Sequence, residues 1–212
     1  MQIQAVNDLG DLLFVIVLLT TVILSGILAY RKLRGRRIRG VALAIVLCLS
    51  VYALALVAVS LTSATLQLAL GTDKCFDDWC ATVTGAESLP GLSAPIGMKR
   101  VAMTLRISNR ARQSAFRPSQ PRVTLALASG VIVAPSPDAQ RQFERQAGPQ
   151  EDLAKRLVAG DTFQTKLVFE VPAATHEASV ILVEGPSVLT QFILGDENSF
   201  LHKKIVYPVQ LK

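Results

Sequence analysis

No basic residue precedes Arg31 in this chain of 212 residues. A secretory signal peptide carries its positive charge ahead of its apolar stretch. The opening Met1-Gln-Ile-Gln-Ala-Val-Asn-Asp-Leu-Gly-Asp11 has two acids and no cation, so the first apolar run does not read as a cleaved leader. Histidine is scarce too, with only His176 and His202. Two distant histidines supply little for a zinc site or a nucleophile–base pair. The motifs G-x-S-x-G, H-E-x-x-H, Walker A and G-x-G-x-x-G are all missing. No catalytic constellation remains, so a non-enzyme without cofactor or metal is expected.

Charge is absent from two long runs. Leu12 to Tyr30 is nineteen residues without a charge, close to the roughly twenty that cross a bilayer as a helix. Val41 to Leu66 is longer and has room to tilt. A helix is the only open segment that satisfies its backbone in lipid. The chain is 50% hydrophobic, with mean hydropathy +0.40, which fits a protein partly in lipid. Neither run holds an ionisable side chain, which argues against an ion pathway. Cys48 follows Ile45-Val-Leu47, and the bulky Leu47 does not fit a lipobox, so a buried thiol is expected. Small residues (Ser25, Gly26, Ala42, Ala44, Ser50, Ala53, Ala55, Ala58, Ser60, Ala64) predict close helix contact, either within the pair or with a partner subunit.

Between the runs stand six cations, Arg31, Lys32, Arg34, Arg36, Arg37 and Arg39, and no anion. The whole chain has 22 basic and 16 acidic residues, so without this loop the two signs balance. The net charge of +6 is therefore a topology signal, and no nucleic-acid partner is expected. The positive-inside rule puts the loop in the cytoplasm. The N-terminus and the chain after Leu70 then lie outside an inner or plasma membrane, periplasmic or extracellular. Residues 1–70 form a transmembrane hairpin on this reading, and residues 71–212 an extracytoplasmic domain.

Beyond Gly71 the pattern changes to alternation. Val101, Met103, Leu105 and Ile107 alternate with Ala102, Thr104, Arg106 and Ser108, and Phe163 to Val171 behaves likewise. Such alternation predicts strands with one buried face. Further strands are expected at 81–88, 122–128, 130–134, 178–183, 191–194 and 204–209. Seven or eight short strands point to an immunoglobulin-like antiparallel β-sandwich. Ser136-Pro137 offers an N-cap and N1 proline for a helical insert at one edge, ended by Gly148-Pro149. Residues 151–157 are expected to add another turn or two.

Cys75 and Cys80 fall in the outside, oxidising compartment. A local disulfide pinning the start of the sandwich is the leading reading, about 2 kcal/mol or less for so short a ring. A thiol-redox pair is the alternative, although its usual C-x-x-C spacing is not present. Asp77 and Asp78 are weak evidence for a cation site. Between Glu87 and Asp138 there is no acid, and Arg100, Arg106 and Arg110 share one face of a predicted strand. That face is either solvated and balanced by acids elsewhere or a contact for an anionic partner.

Two helices before an external sandwich resemble the layout of subunit II of respiratory oxidases. That family places its copper cysteines in a late loop beside His and Met, whereas here they precede the sandwich and His202 has neither nearby. Four segments carry a second resemblance: Cys75-Phe-Asp-Asp-Trp-Cys80, Arg106-Ile-Ser-Asn109, Leu167-Val-Phe-Glu-Val-Pro172, and Leu194-Gly-Asp-Glu-Asn-Ser-Phe-Leu-His-Lys-Lys204. With these, the chain resembles bacterial membrane-anchored extracytoplasmic immunoglobulin-like (telokin-like) domains. The resemblance implies a sandwich and carries no catalytic residue across. The expectation is a membrane-anchored envelope protein that binds a protein partner or ligand, or serves as an accessory subunit. An envelope redox factor using Cys75 and Cys80 is the alternative.

Overall fold

The computed structural model of the protein describes residues 3–4, 8–76, 78–185 and 189–211. It divides into two compact units. One comprises Met1–Ala5, Thr65–Gly185 and Lys204–Lys212; the other comprises Val6–Ala64 and Pro186–Lys203. The division therefore differs from a single cut at residue 70 in three ways. Ile3–Gln4 belongs with the sandwich, the sandwich's main stretch begins at Thr65, and a stretch from between its last strands belongs with the helices.

The helical unit is built on α1 (Asp8–Leu33) and α2 (Arg39–Thr62). Arg31 and Lys32 sit in the last turn of α1, where cations complement the carbonyl end of the helix. Gly35 follows with φ 64°, a left-handed position that ends a helix without a Cβ clash. The two helices pack on each other, and their less exposed positions recur along one side: Phe14, Val17, Thr21, Leu24 and Leu28 of α1, and Ile45, Cys48, Tyr52, Ala55, Leu56, Val59 and Ser60 of α2. That three-and-four spacing is the packing period of two antiparallel helices. The expectation of small residues at the contact holds only in part. Ala42, Ala55 and Ser60 are shielded, but Ser25, Gly26, Ala44, Ser50, Ala53, Ala58 and Ala64 are exposed. Cys48 is half-exposed rather than buried.

The sandwich unit has a five-stranded sheet in the order β1 (Ile3–Gln4), β2 (Lys74–Phe76), β3 (Trp79–Ser88), β4 (Met98–Asn109), β7 (Thr162–Pro172). Its other sheet runs β6 (Ile132–Val133), β5 (Arg122–Leu127), β8 (Glu177–Val183), β9 (Val206–Gln210). All neighbours are antiparallel except β1 and β2. β3, β4 and β7 occupy the places of immunoglobulin strands A, B and E, and β5, β6, β8 and β9 those of C, C′, F and G. The helix α3 (Pro137–Ala147) stands where strand D would run. Alternation in β4 drives Val101, Met103, Leu105 and Ile107 into the core, where they meet Leu125, Val180, Phe169 and Tyr207.

Two elements differ from expectation. Residues 191–194 form no strand; Thr190–Phe192 is a 3-10 turn in the helical unit. Their apolar composition suits a strand, but the backbone carries the turn against α2. Residues 151–157 form no helix, because Leu157 is drawn into a bridge with Phe116.

α3 is seated as its sequence signals require. The Ser136 hydroxyl accepts from the Ala139 amide at 3.3 Å, and Gly148 closes the far end. Its Ala139 and Phe143 pack with Leu92, Ala102 and Val168, which makes a second small core on the outer face of the five-stranded sheet. The free edge of β7 is met at the same time. Val168 N donates to Gln140 Oε1 at 2.9 Å, Gln140 Nε2 donates to Lys166 O at 3.0 Å, and Lys166 N donates to Gln150 Oε1 at 3.0 Å. Ser136 N donates to Val168 O at 2.8 Å.

Candidate functional site

Cys75 and Cys80 are opposite each other in the β2–β3 hairpin and joined by a disulfide. Both are buried, with Phe76 stacked on Trp79 at 4.7 Å between centroids. Reactive cysteines occupy accessible, electropositive surroundings; this pair is closed to solvent. Asp77 lies outside the described residues, and no cluster able to hold a metal exists among the described residues. The hairpin also buries Lys74 completely. Its Nζ donates to the Leu182 carbonyl at 2.6 Å and lies 5.0 Å from the Phe76 ring centroid. A buried ammonium needs such acceptors. The sequence reading expects no strand before residue 81, so it does not single out Lys74, which β2 carries into the core.

The arginines of β4 divide into two environments. Arg100 is only 5% exposed. Its Nε donates to Glu170 Oε1 at 3.0 Å, a second nitrogen lies 2.8 Å from the same oxygen, and a third donates to Gln142 of α3. It is therefore not a contact for an anionic partner. The α3 insert covers the outer face that a two-layer reading leaves to solvent, and the guanidinium is consumed in holding helix and sheet together. Arg106 and Arg110 stay partly exposed and converge on Asp73, Arg106 at 2.9 Å. Burial raises the Asp73 carboxyl pKa, but hydrogen bonds from Thr82 and Arg106 and the charges of Arg110 and Arg106 outweigh it and hold the group below its ordinary value. One carboxylate against two guanidiniums leaves a single net positive charge there.

Asn109, at the end of β4, is buried and fully used. Its amide donates to the Ser114 and Leu157 carbonyls, both at 3.0 Å, and its oxygen accepts from Ala111 N at 2.8 Å. Open clefts flank the sandwich. One of about 500 Å³ is lined by Ser88, Leu89, Pro90, Leu92, Met98, Lys99 and Arg100. Lys99 there donates to the Leu211 carbonyl at 3.0 Å, so both cations of the cleft have intramolecular partners.

The helical unit carries contacts that sequence reading missed. Tyr52 Oη donates to the Phe192 carbonyl at 2.6 Å, Ser60 Oγ lies 3.4 Å from Ser199 Oγ, and Lys203 N donates to Ser63 Oγ at 3.0 Å. Gly10 is pressed so closely on this stretch that a Cβ there would lie 1.9 Å from the Leu194 carbonyl oxygen. The signal is apolar Phe192-Ile193-Leu194, which the sequence reading assigns to a strand at 191–194.

No protein-family model matches the chain, and no curated protein matches it. Among solved structures the chain is similar to a conserved hypothetical protein from Bacillus anthracis, with 13% identity, TM-score 0.43 and coverage of 54% of this chain and 88% of that one. It is similar to an uncharacterized beta-sandwich protein from Clostridium difficile at 12% identity and TM-score 0.43, over 69% and 95%. It is also similar to the secreted protein MPT63 from Mycobacterium tuberculosis at 11% identity and TM-score 0.41, over 70% and 99%.

Proposed function

We propose that the chain is a two-span envelope protein of the telokin-like kind, a non-enzymatic module that holds an immunoglobulin-like sandwich outside the membrane for a protein partner or ligand. The observation that carries this reading is the surface of α1 and α2. Leu12, Val15, Ile16, Leu18, Leu19 and Val22 of α1 and Leu43, Val46, Leu47, Leu54 and Leu61 of α2 are all exposed, so each helix is apolar around nearly its whole circumference. Both have the length and composition to cross a membrane. A helix apolar all round belongs in a protein core or in lipid, and these two are almost unburied. The six-cation connection supplies the orientation, cytoplasmic by the positive-inside rule. The Cys75–Cys80 disulfide agrees with an oxidising compartment for the sandwich.

An impermeant maleimide tests the scheme in intact cells on a Cys48→Ala background with Gly35→Cys. Labelling is expected only after permeabilisation. Labelling of intact cells would invert the topology.

A further inference from the structure

Residues 189–203 connect β8 to β9 yet belong to the helical unit. Three of their contacts form a staircase along α2. Lys203 meets Ser63 just past the helix end, Ser199 meets Ser60, and Phe192 meets Tyr52. Tyr52 and Ser63 are separated by roughly 16 Å of helix axis, a large part of one leaflet. The segment thus runs inward along a helix that, on the reading above, is inside the bilayer. Backbone at that depth must be hydrogen-bonded within the protein. The Phe192 carbonyl takes the Tyr52 hydroxyl, Phe200 N donates to Gln191 O at 3.0 Å, and Ile193 N donates to Thr190 O at 3.2 Å.

The side chains on the far side of this staircase are apolar and uncovered: Leu189 is 61% exposed, Phe192 49%, Phe200 58% and Leu201 53%. Leu201 holds φ 65°, a left-handed conformation that costs a leucine energy. Ser199 and Glu197, by contrast, are turned inward and buried. Four of the six exposed residues of the stretch are large and apolar, Gln191 and Lys203 being the others, and an exposed apolar cluster is the informative departure from a water-facing loop.

We infer that residues 189–203 are a lipid-contacting, re-entrant segment. Phe192, Phe200, Leu189 and Leu201 lie against acyl chains of the outer leaflet, continuous with the lipid-facing surface of α1 and α2, and His202 and Lys203 stand at headgroup level. This rests on the membrane-spanning reading of the two helices.

The full chain reconstituted in vesicles of phosphatidylcholine with brominated acyl chains tests both readings separately. Trp79, the single tryptophan, is core-buried and gives the baseline. Val46→Trp reports on the helices; Phe200→Trp and Leu201→Trp report on the segment. All three added emissions are expected to be blue-shifted and quenched, the last two most strongly by bromines near the headgroups. Quenching of Val46→Trp with unquenched emission from both segment variants overturns the inference and leaves the spanning helices standing; a second copy or partner protein then covers the segment. An unquenched Val46→Trp removes the spanning reading and this inference with it.

Discussion

Two long insertions interrupt the sandwich, and they serve different masters. Residues 136–157, between β6 and β7, stay in the sandwich unit, and their helix seals a sheet face and a sheet edge. Residues 189–203, between β8 and β9, leave it and pack on α1 and α2. β8 and β9 are hydrogen-bonded neighbours that need only a short turn, so the second insertion is not required by connectivity, whereas the first also carries the chain from one sheet to the other. The first is amphipathic, capped and satisfied by contacts to the sheet. The second buries Glu197 and Ser199 and leaves Phe192 and Phe200 exposed. Where an insertion directs its apolar side chains shows which body it stabilises.

That contrast is broken most directly at Phe143. Truncating Phe143→Ala in the full chain in micelles should lower sandwich stability by about 3 kcal/mol, because it empties the small core under α3. Denaturant unfolding followed by Trp79 fluorescence measures it. Arg100→Ala should cost about 2 kcal/mol by the same readout, leaving the Glu170 carboxylate without its cation but 24% exposed to water. Replacing residues 186–203 with a short Gly-Ser turn should change the Trp79-reported transition by no more than about 0.5 kcal/mol. A loss as large as that of Phe143→Ala would show that the second insertion supports the sandwich after all.

The legible parts of the sequence were those with a period or a terminator. Alternation located β4, β7, β5 and β8, and Ser136-Pro137 with Gly148 located α3 to within a residue or two. Uncharged length located both apolar helices, although α2 ends at Thr62 rather than near Leu66. What alternation cannot report is a third layer. Arg100 and Arg106 occupy equivalent positions on one strand face, and only the arrival of Gln142 and Phe143 from forty residues away separates a buried ion pair from an exposed one. The misread segment at 191–194 failed for a related reason. A short apolar run has the same composition in a strand as in a turn laid on helices, and only long-range packing decides between them.

The amide side chains of Gln140 and Gln150 have one more consequence. Together with the Ser136 backbone they occupy the outward N–H and C=O groups of Lys166 and Val168. Those groups would otherwise template another chain's strand, and strand addition at an open border is how sandwich domains polymerise. Two glutamines thus act as a counterfeit neighbour over the middle of β7.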